Sequence, residues 1–152
     1  MTSDHINLVQ RSFRLVEPIL DTAVTLFYDR LFEIDPSLRT LFQGSREDQA
    51  RKLAQTLTVV VKGIDRPEQI RAAVRALGSR HVGYGVRDEH YGTVGTALLW
   101  TLEAGLGDAF TPDVRQARNA MYAWLAFNMH QATALSAAAD TTQPSALASS
   151  IA

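Results

Sequence analysis

A helical period runs through most of this chain, and no stretch alternates convincingly with the period of two that a half-buried strand requires. Ile6, Val9, Phe13 and Val16 step by three, four and three. Leu20, Val24, Phe27, Leu31 and Ile34 continue the pattern, as do Leu53, Leu57, Val60 and Ile64. Further stripes are Ile70, Val74, Leu77, His81 and Tyr84, then Tyr91, Val94, Leu98 and Leu102, then Val114, Met121, Leu125 and Met129. Stripes of this kind put apolar side chains on one helix face, which must be covered by another helix. The fold class expected is therefore all-α.

Prolines and glycines punctuate the stripes. Pro36, Pro67 and Pro112 each stand where the first helical position follows a capping region. Pro18 marks an abrupt join between two helices. Gly44 and Gly63 read as stops, Gly83 and Gly85 flank a turn, and Gly105 and Gly107 open a loop. The spacing predicts helices over 4–17, 18–34, 36–42, 47–62, 67–82, 88–105 and 112–134. Residues 135–152, rich in Ala, Ser and Thr, read as a low-complexity, disordered tail behind one domain spanning 1–134.

The 152 residues suit a single domain, and 46% hydrophobic content supports a real core. A formal net charge of −1 gives no pull toward nucleic acid or an anionic membrane. No cysteine is present, which removes disulfide and thiol chemistry. The N-terminus lacks a basic segment followed by an apolar run, and apolar runs such as 97–100 are far short of a membrane span. A cytoplasmic protein is the expectation.

Four histidines, His5, His81, His90 and His130, are scattered without metal-site spacing. His5 and His130 have polar neighbours and read as surface, and His90 is expected to point away from the Tyr91 stripe. His81 shares a core face with Leu77 and Tyr84. Spacing alone leaves two readings of it open: a buried imidazole satisfied by a carbonyl, or an axial ligand of the haem type. Tyr28 lies on one face with Val24 and Leu31, and Gln49 with Leu53, Thr56 and Val60. Buried, both need hydrogen-bond partners. The Gly-Tyr-Gly at 83–85 and Gly-Leu-Gly at 105–107 lack the third glycine and the preceding strand of a dinucleotide site. Glu47, Asp48, Asp88 and Glu89 sit at helix starts, where they favour the dipole rather than forming a catalytic pair. Arg66, Arg71, Arg75, Arg80 and Arg87 form a basic margin, read as a solvated face that could also hold an acidic group.

Several of these residues occur in a recognisable order. Phe27-Tyr28-Asp29-Arg30-Leu31-Phe32 is followed by Asp35-Pro36 and Leu41-Phe42, then by Gln49 four residues before Leu53. Leu77-Gly78-Ser79-Arg80-His81 then leads to Tyr84-Gly85-Val86 and His90-Tyr91. Over residues 5–133 the chain resembles the single-domain bacterial globins, the group related to Vitreoscilla haemoglobin and to the globin half of flavohaemoglobins, with a particular likeness to the Hell's Gate type. The resemblance implies a globin fold, a three-over-three helical sandwich around haem b, with His81 as the proximal ligand and metal-binding residue. It implies that Phe42 packs on the haem face and that Tyr28, Gln49 and Leu53 line the distal side. By the same resemblance Leu77, Tyr84, Val86 and Val94 line the proximal pocket, and Lys52 reaches a haem propionate.

The implied function is reversible oxygen binding for storage, delivery or buffering, with nitric oxide and carbon monoxide as further gas ligands. Nitric oxide dioxygenation with a separate reductase is the alternative, and gas sensing a third. No nucleic-acid or membrane partner is implied. One departure bears on the choice. In flavohaemoglobins a tyrosine at the place of Tyr91 and a glutamate late in the last helix support the proximal histidine. Tyr91 is present, but Thr133 or one of its neighbours stands at the glutamate's place, and the last helix has no Glu.

Overall fold

A computed structural model describes residues 1–42, 44–83 and 85–139, without the side chains of 132–139. Six helices account for most of it: α1 (Ser3–Val16), α2 (Leu20–Ile34), α3 (Arg46–Gly63), α4 (Pro67–Gly83), α5 (Asp88–Leu106) and α6 (Pro112–Ala139). Short 3₁₀ turns cover Glu17–Ile19, Pro36–Leu41 and Gly107–Ala109.

The starts follow local chemistry. Thr2 Oγ1 accepts the His5 N–H at 3.2 Å while His5 Nδ1 accepts the Thr2 N–H, a reciprocal cap on α1. Ser45 Oγ accepts the Asp48 N–H at 3.1 Å and starts α3. Pro18 has no N–H to continue α1, so the chain tightens into a 3₁₀ turn before α2 begins. The helix expected over 36–42 is also 3₁₀. Asp35 Oδ1 takes both the Ser37 N–H at 3.0 Å and its hydroxyl at 2.6 Å, and the six residues behind that cap are few for α geometry. Gly105 lies inside α5, and the turn comes at Gly107, whose φ is +53°. Helix α6 runs through 135–139, while residues 140–152 of the expected tail lie outside the described residues, as does Tyr84.

Helices α1, α3 and α4 pack across α2, α5 and α6, with the main pairings α4 on α6, α2 on α5 and α1 on α6. This is the three-over-three arrangement of the globin fold. The buried side chains fall into three groups. Val24, Phe27, Tyr28 and Leu31 centre one, Val9, Phe13, Val61 and Ile64 another, and Val60, Val74, Leu77 and Met129 the third. The first and third groups border a cleft that the helix ends leave open. Among the described residues no helix is long and apolar enough to cross a membrane.

The α4–α6 crossing depends on Gly78. A Cβ there would stand 2.5 Å from the Met129 carbonyl oxygen and 2.6 Å from its Cα, both backbone atoms that no rotamer change can move. Gly78→Ala is therefore expected to destabilise the fold by about 3 kcal/mol, the upper end for overpacking. The melting temperature should fall by roughly 6–12 °C for a domain of this size. A melt within 1 °C of wild type would show that the helices part easily.

Candidate ligand cleft

The cleft, its open mouth included, encloses about 990 Å³. Its walls are almost wholly apolar, built by Leu38, Leu41, Phe42, Leu53, Val60, Leu77, Val86, Val94, Leu125 and Met129. Tyr28, His81, His90 and Tyr91 are polar residues on its lining.

Helix α4 carries His81 two residues from its end, with 7% of the residue exposed. Its Nδ1 lies 2.8 Å from the Leu77 carbonyl oxygen. A carbonyl can only accept, so Nδ1 carries the proton and the ring's lone pair is on Nε2. After His81 the chain folds back, and the Val86 N–H reaches the His81 carbonyl at 3.1 Å. Gly85 makes this turn at a φ of +83°, a backbone that L side chains rarely adopt.

His90 was expected to point elsewhere, yet the structure buries it to 7% exposure on the same lining. Its Nδ1 accepts the Arg87 N–H at 2.9 Å at the start of α5. Here the backbone group can only donate, so the neutral ring keeps its proton on Nε2. The two imidazoles are thus opposite tautomers, and only His81 has its outer nitrogen in the form a metal needs.

On α2, Tyr28 is 2% exposed and packs edge-on against Phe42, with ring centroids 5.3 Å apart at 84°. Phe32 stacks beyond it, 6.1 Å away. Burial pushes the Tyr28 pKa well above the ordinary tyrosine value, against a smaller opposite pull from Arg46. Its hydroxyl therefore stays protonated and remains a donor. It currently donates to the Gln49 backbone oxygen over a long 3.3 Å.

Gln49 is 3% exposed on α3, but neither it nor the half-buried Lys52 is on the cleft lining. The cleft thus gathers Phe42, Leu53, Leu77, His81, Val86, Val94, Tyr28 and Tyr91, while Gln49 and Lys52 are not on its lining. Tyr91 stands 4.9 Å, centroid to centroid, from the ring of His130. His130, expected at the surface, is half-buried by this contact and lies 3.5 Å from Asp88 Oδ1. Burial, with Asp88 adding to it, raises the Tyr91 pKa. The Tyr122 hydroxyl donates to the Tyr91 carbonyl. The side chain of Thr133 lies outside the described residues.

The globin family model matches residues 25–129. The chain is a globin. It is 31% identical over 129 residues to a flavohaemoprotein of Vibrio cholerae, covering 83% of this globin and 33% of that protein. It is 37% identical over 103 residues to the flavohaemoprotein of Bordetella pertussis, covering 66% and 26%. The globin thus spans about a third or less of the length of these curated relatives. Among solved structures it superposes with a TM-score of 0.80 on an engineered carbene transferase derived from a candidate nitric oxide dioxygenase of Rhodothermus marinus. That pair shares 28% identity and covers 91% of this chain and 98% of the other. A bacterial globin from Campylobacter jejuni, 23% identical, superposes at 0.77 over 88% and 98% and supports the fold.

Membership of the family implies haem, and the residues present fit the group. The walls are apolar, one imidazole on them has its lone pair on Nε2, and a protonated phenol shares the lining. Among the described residues no cluster of three or more His, Cys, Asp or Glu could hold a metal ion.

Proposed function

We propose that this globin binds haem b in the cleft through His81 and takes up oxygen reversibly, for storage, delivery or buffering. Haem, when bound, supplies an iron centre that takes oxygen, nitric oxide or carbon monoxide. The observation that carries the reading is the His81–Leu77 bond. It fixes the ring's orientation and its tautomer, so the imidazole meets a metal with no proton to lose. Leu77, Val86 and Val94 hold water away from that side. On the opposite side Tyr28 keeps a proton it can offer to a gas, and Phe42 holds the phenol ring in place. Gln49 joins as a second donor if its amide turns into the cleft, and Lys52 reaches a propionate from the rim.

The second reading is nitric oxide dioxygenation fed by a separate reductase. It is favoured by the flavohaemoprotein relatives and the Rhodothermus neighbour. Against it stands the last helix, which carries no glutamate to strengthen the proximal histidine. Mixing the oxygenated protein with nitric oxide and a reductase separates the two. The expected result is one equivalent of nitrate per protein without sustained cycling. Hundreds of turnovers would make the protein an enzyme and overturn the binder reading.

A further inference from the structure

An open groove runs over the surface between α1 and the segment that leads into α6. It encloses about 1040 Å³, its open side included, and shares no lining residue with the haem cleft. Helix α1 contributes Leu8, Arg11 and Leu15 to it, and the turn and start of α6 contribute Ala109 and Val114. Ser12, also on the lining, is buried and ties the two sides together. Its hydroxyl oxygen accepts at 2.8 Å from Nη2 of Arg118, an α6 residue only 5% exposed, which also donates to the Val9 carbonyl at 3.2 Å. The groove is thus a fixed feature of the α1–α6 packing.

Its edges are both apolar and charged. Leu15 is 60% exposed, and Ile19, one turn further on and packed beside Gly105, is 42% exposed. Arg11 and Arg14, exposed on the α1 side, make no ion pair among the described residues. Glu17, three positions after Arg14, is taken by Lys62 at 3.1 Å. The opposite side carries the opposite charge. Asp108 and Asp113, exposed next to Ala109 and Val114, also make no ion pair. Arg115, two positions after Asp113, is taken by Glu103 at 3.1 Å and lies over the Phe110 ring. Two uncommitted cations therefore flank the groove on one side and two uncommitted carboxylates on the other, with a leucine standing out of it.

We propose that this face pairs with itself, joining two copies of the chain about a twofold axis that runs along the groove. Charge selects the occupant. A uniformly acidic segment would meet Asp108 and Asp113, and a uniformly basic one Arg11 and Arg14. A second copy carries both signs. Rotation about an axis along the groove exchanges its two sides, so α1 of each copy comes to lie over the 108–114 segment of the other. Arg11 and Arg14 then face the carboxylates of the second copy, twice over, and each Leu15 enters the opposing groove. Such a contact is isologous and closes at two copies. Exposed ion pairs add little affinity but fix register, so the apolar side chains supply the attraction. The pairing does not depend on what the cleft binds.

Sedimentation equilibrium of the full chain is the test. A small face predicts a weak dimer, with a dissociation constant on the order of 100 µM. The average mass should climb from one chain toward two between concentrations about tenfold below and about tenfold above that value. Added salt should weaken the pairing, because exposed charges are screened. Leu15→Glu, at an exposed position, should leave the chain monomeric. The decisive experiment exchanges the charges. A chain with Arg11→Glu and Arg14→Glu, and another with Asp108→Lys and Asp113→Lys, should each be monomeric alone and should pair one to one when mixed. A wild type that stays monomeric throughout would overturn the proposal and leave the groove to a different partner. So would a dimer that survives Leu15→Glu and both exchanges; its loss in Phe127→Glu would place the contact on α6, where Phe127 is 60% exposed.

Discussion

Replacing His81 by alanine is expected to abolish the Soret band of the purified protein, and added imidazole should restore it. The cleft would still be apolar, so loosely held haem could enter by hydrophobic transfer alone. What is lost is the nitrogen whose lone pair the Leu77 carbonyl sets on the outer side of the ring. The control is His90→Ala. His90 lines the same cleft at the same burial, but its ring accepts from the Arg87 N–H and keeps its outer proton. That variant should retain haem and lose only the helix cap, about 1 kcal/mol. Tightly bound haem with unchanged ferrous spectra in His81→Ala would remove the assignment. Loss of haem in His90→Ala alone would transfer it to His90.

These two histidines show what was legible in the sequence. Apolar period placed His81 on a core face, because a helix repeats every 3.6 residues whatever its tertiary partners. Spacing left open whether a carbonyl satisfied the ring or a metal did. The structure shows that the two readings are compatible, since the carbonyl bond is what prepares the other nitrogen. His90 was misplaced because it precedes the Tyr91 stripe. Its burial follows from the turn after Val86 and from its place three residues behind the α5 cap, where its ring reaches back to the Arg87 N–H. Arg118 has a similar history. It continues the stripe of Val114, Met121 and Leu125, four residues after the first and three before the second, and its charge hid it. Helix positions were readable throughout, whereas the 3₁₀ character of 36–41 was not, because it depends on how Asp35 spends its oxygen. Gln49 is buried as its face required and is not on the cleft lining, since periodicity fixes a buried face but not which void that face borders.

Tyr28→Phe should speed oxygen dissociation about ten-fold or more while leaving association within a few-fold of wild type. The ring stays, so the contacts with Phe27 and Phe42 that hold the position are kept. Only the hydroxyl goes, and burial keeps that hydroxyl protonated. A donor to a partly charged acceptor contributes about 1.5–3 kcal/mol, and 1.4 kcal/mol is a factor of ten in an equilibrium. Against this stands the bond the hydroxyl already makes. At 3.3 Å to the Gln49 carbonyl it is long for an O–H donor, and that carbonyl also has its place in the α3 ladder. Turning the proton toward a gas therefore gives up little, and the effect should fall nearer ten-fold than a hundred-fold. It should appear in the dissociation rate, because the hydroxyl acts on a gas already seated rather than on its entry. Stopped-flow displacement of oxygen by carbon monoxide measures the rate directly. An unchanged rate in Tyr28→Phe would mean that the proton stays with Gln49, and oxygen retention would have to come from the apolar walls alone.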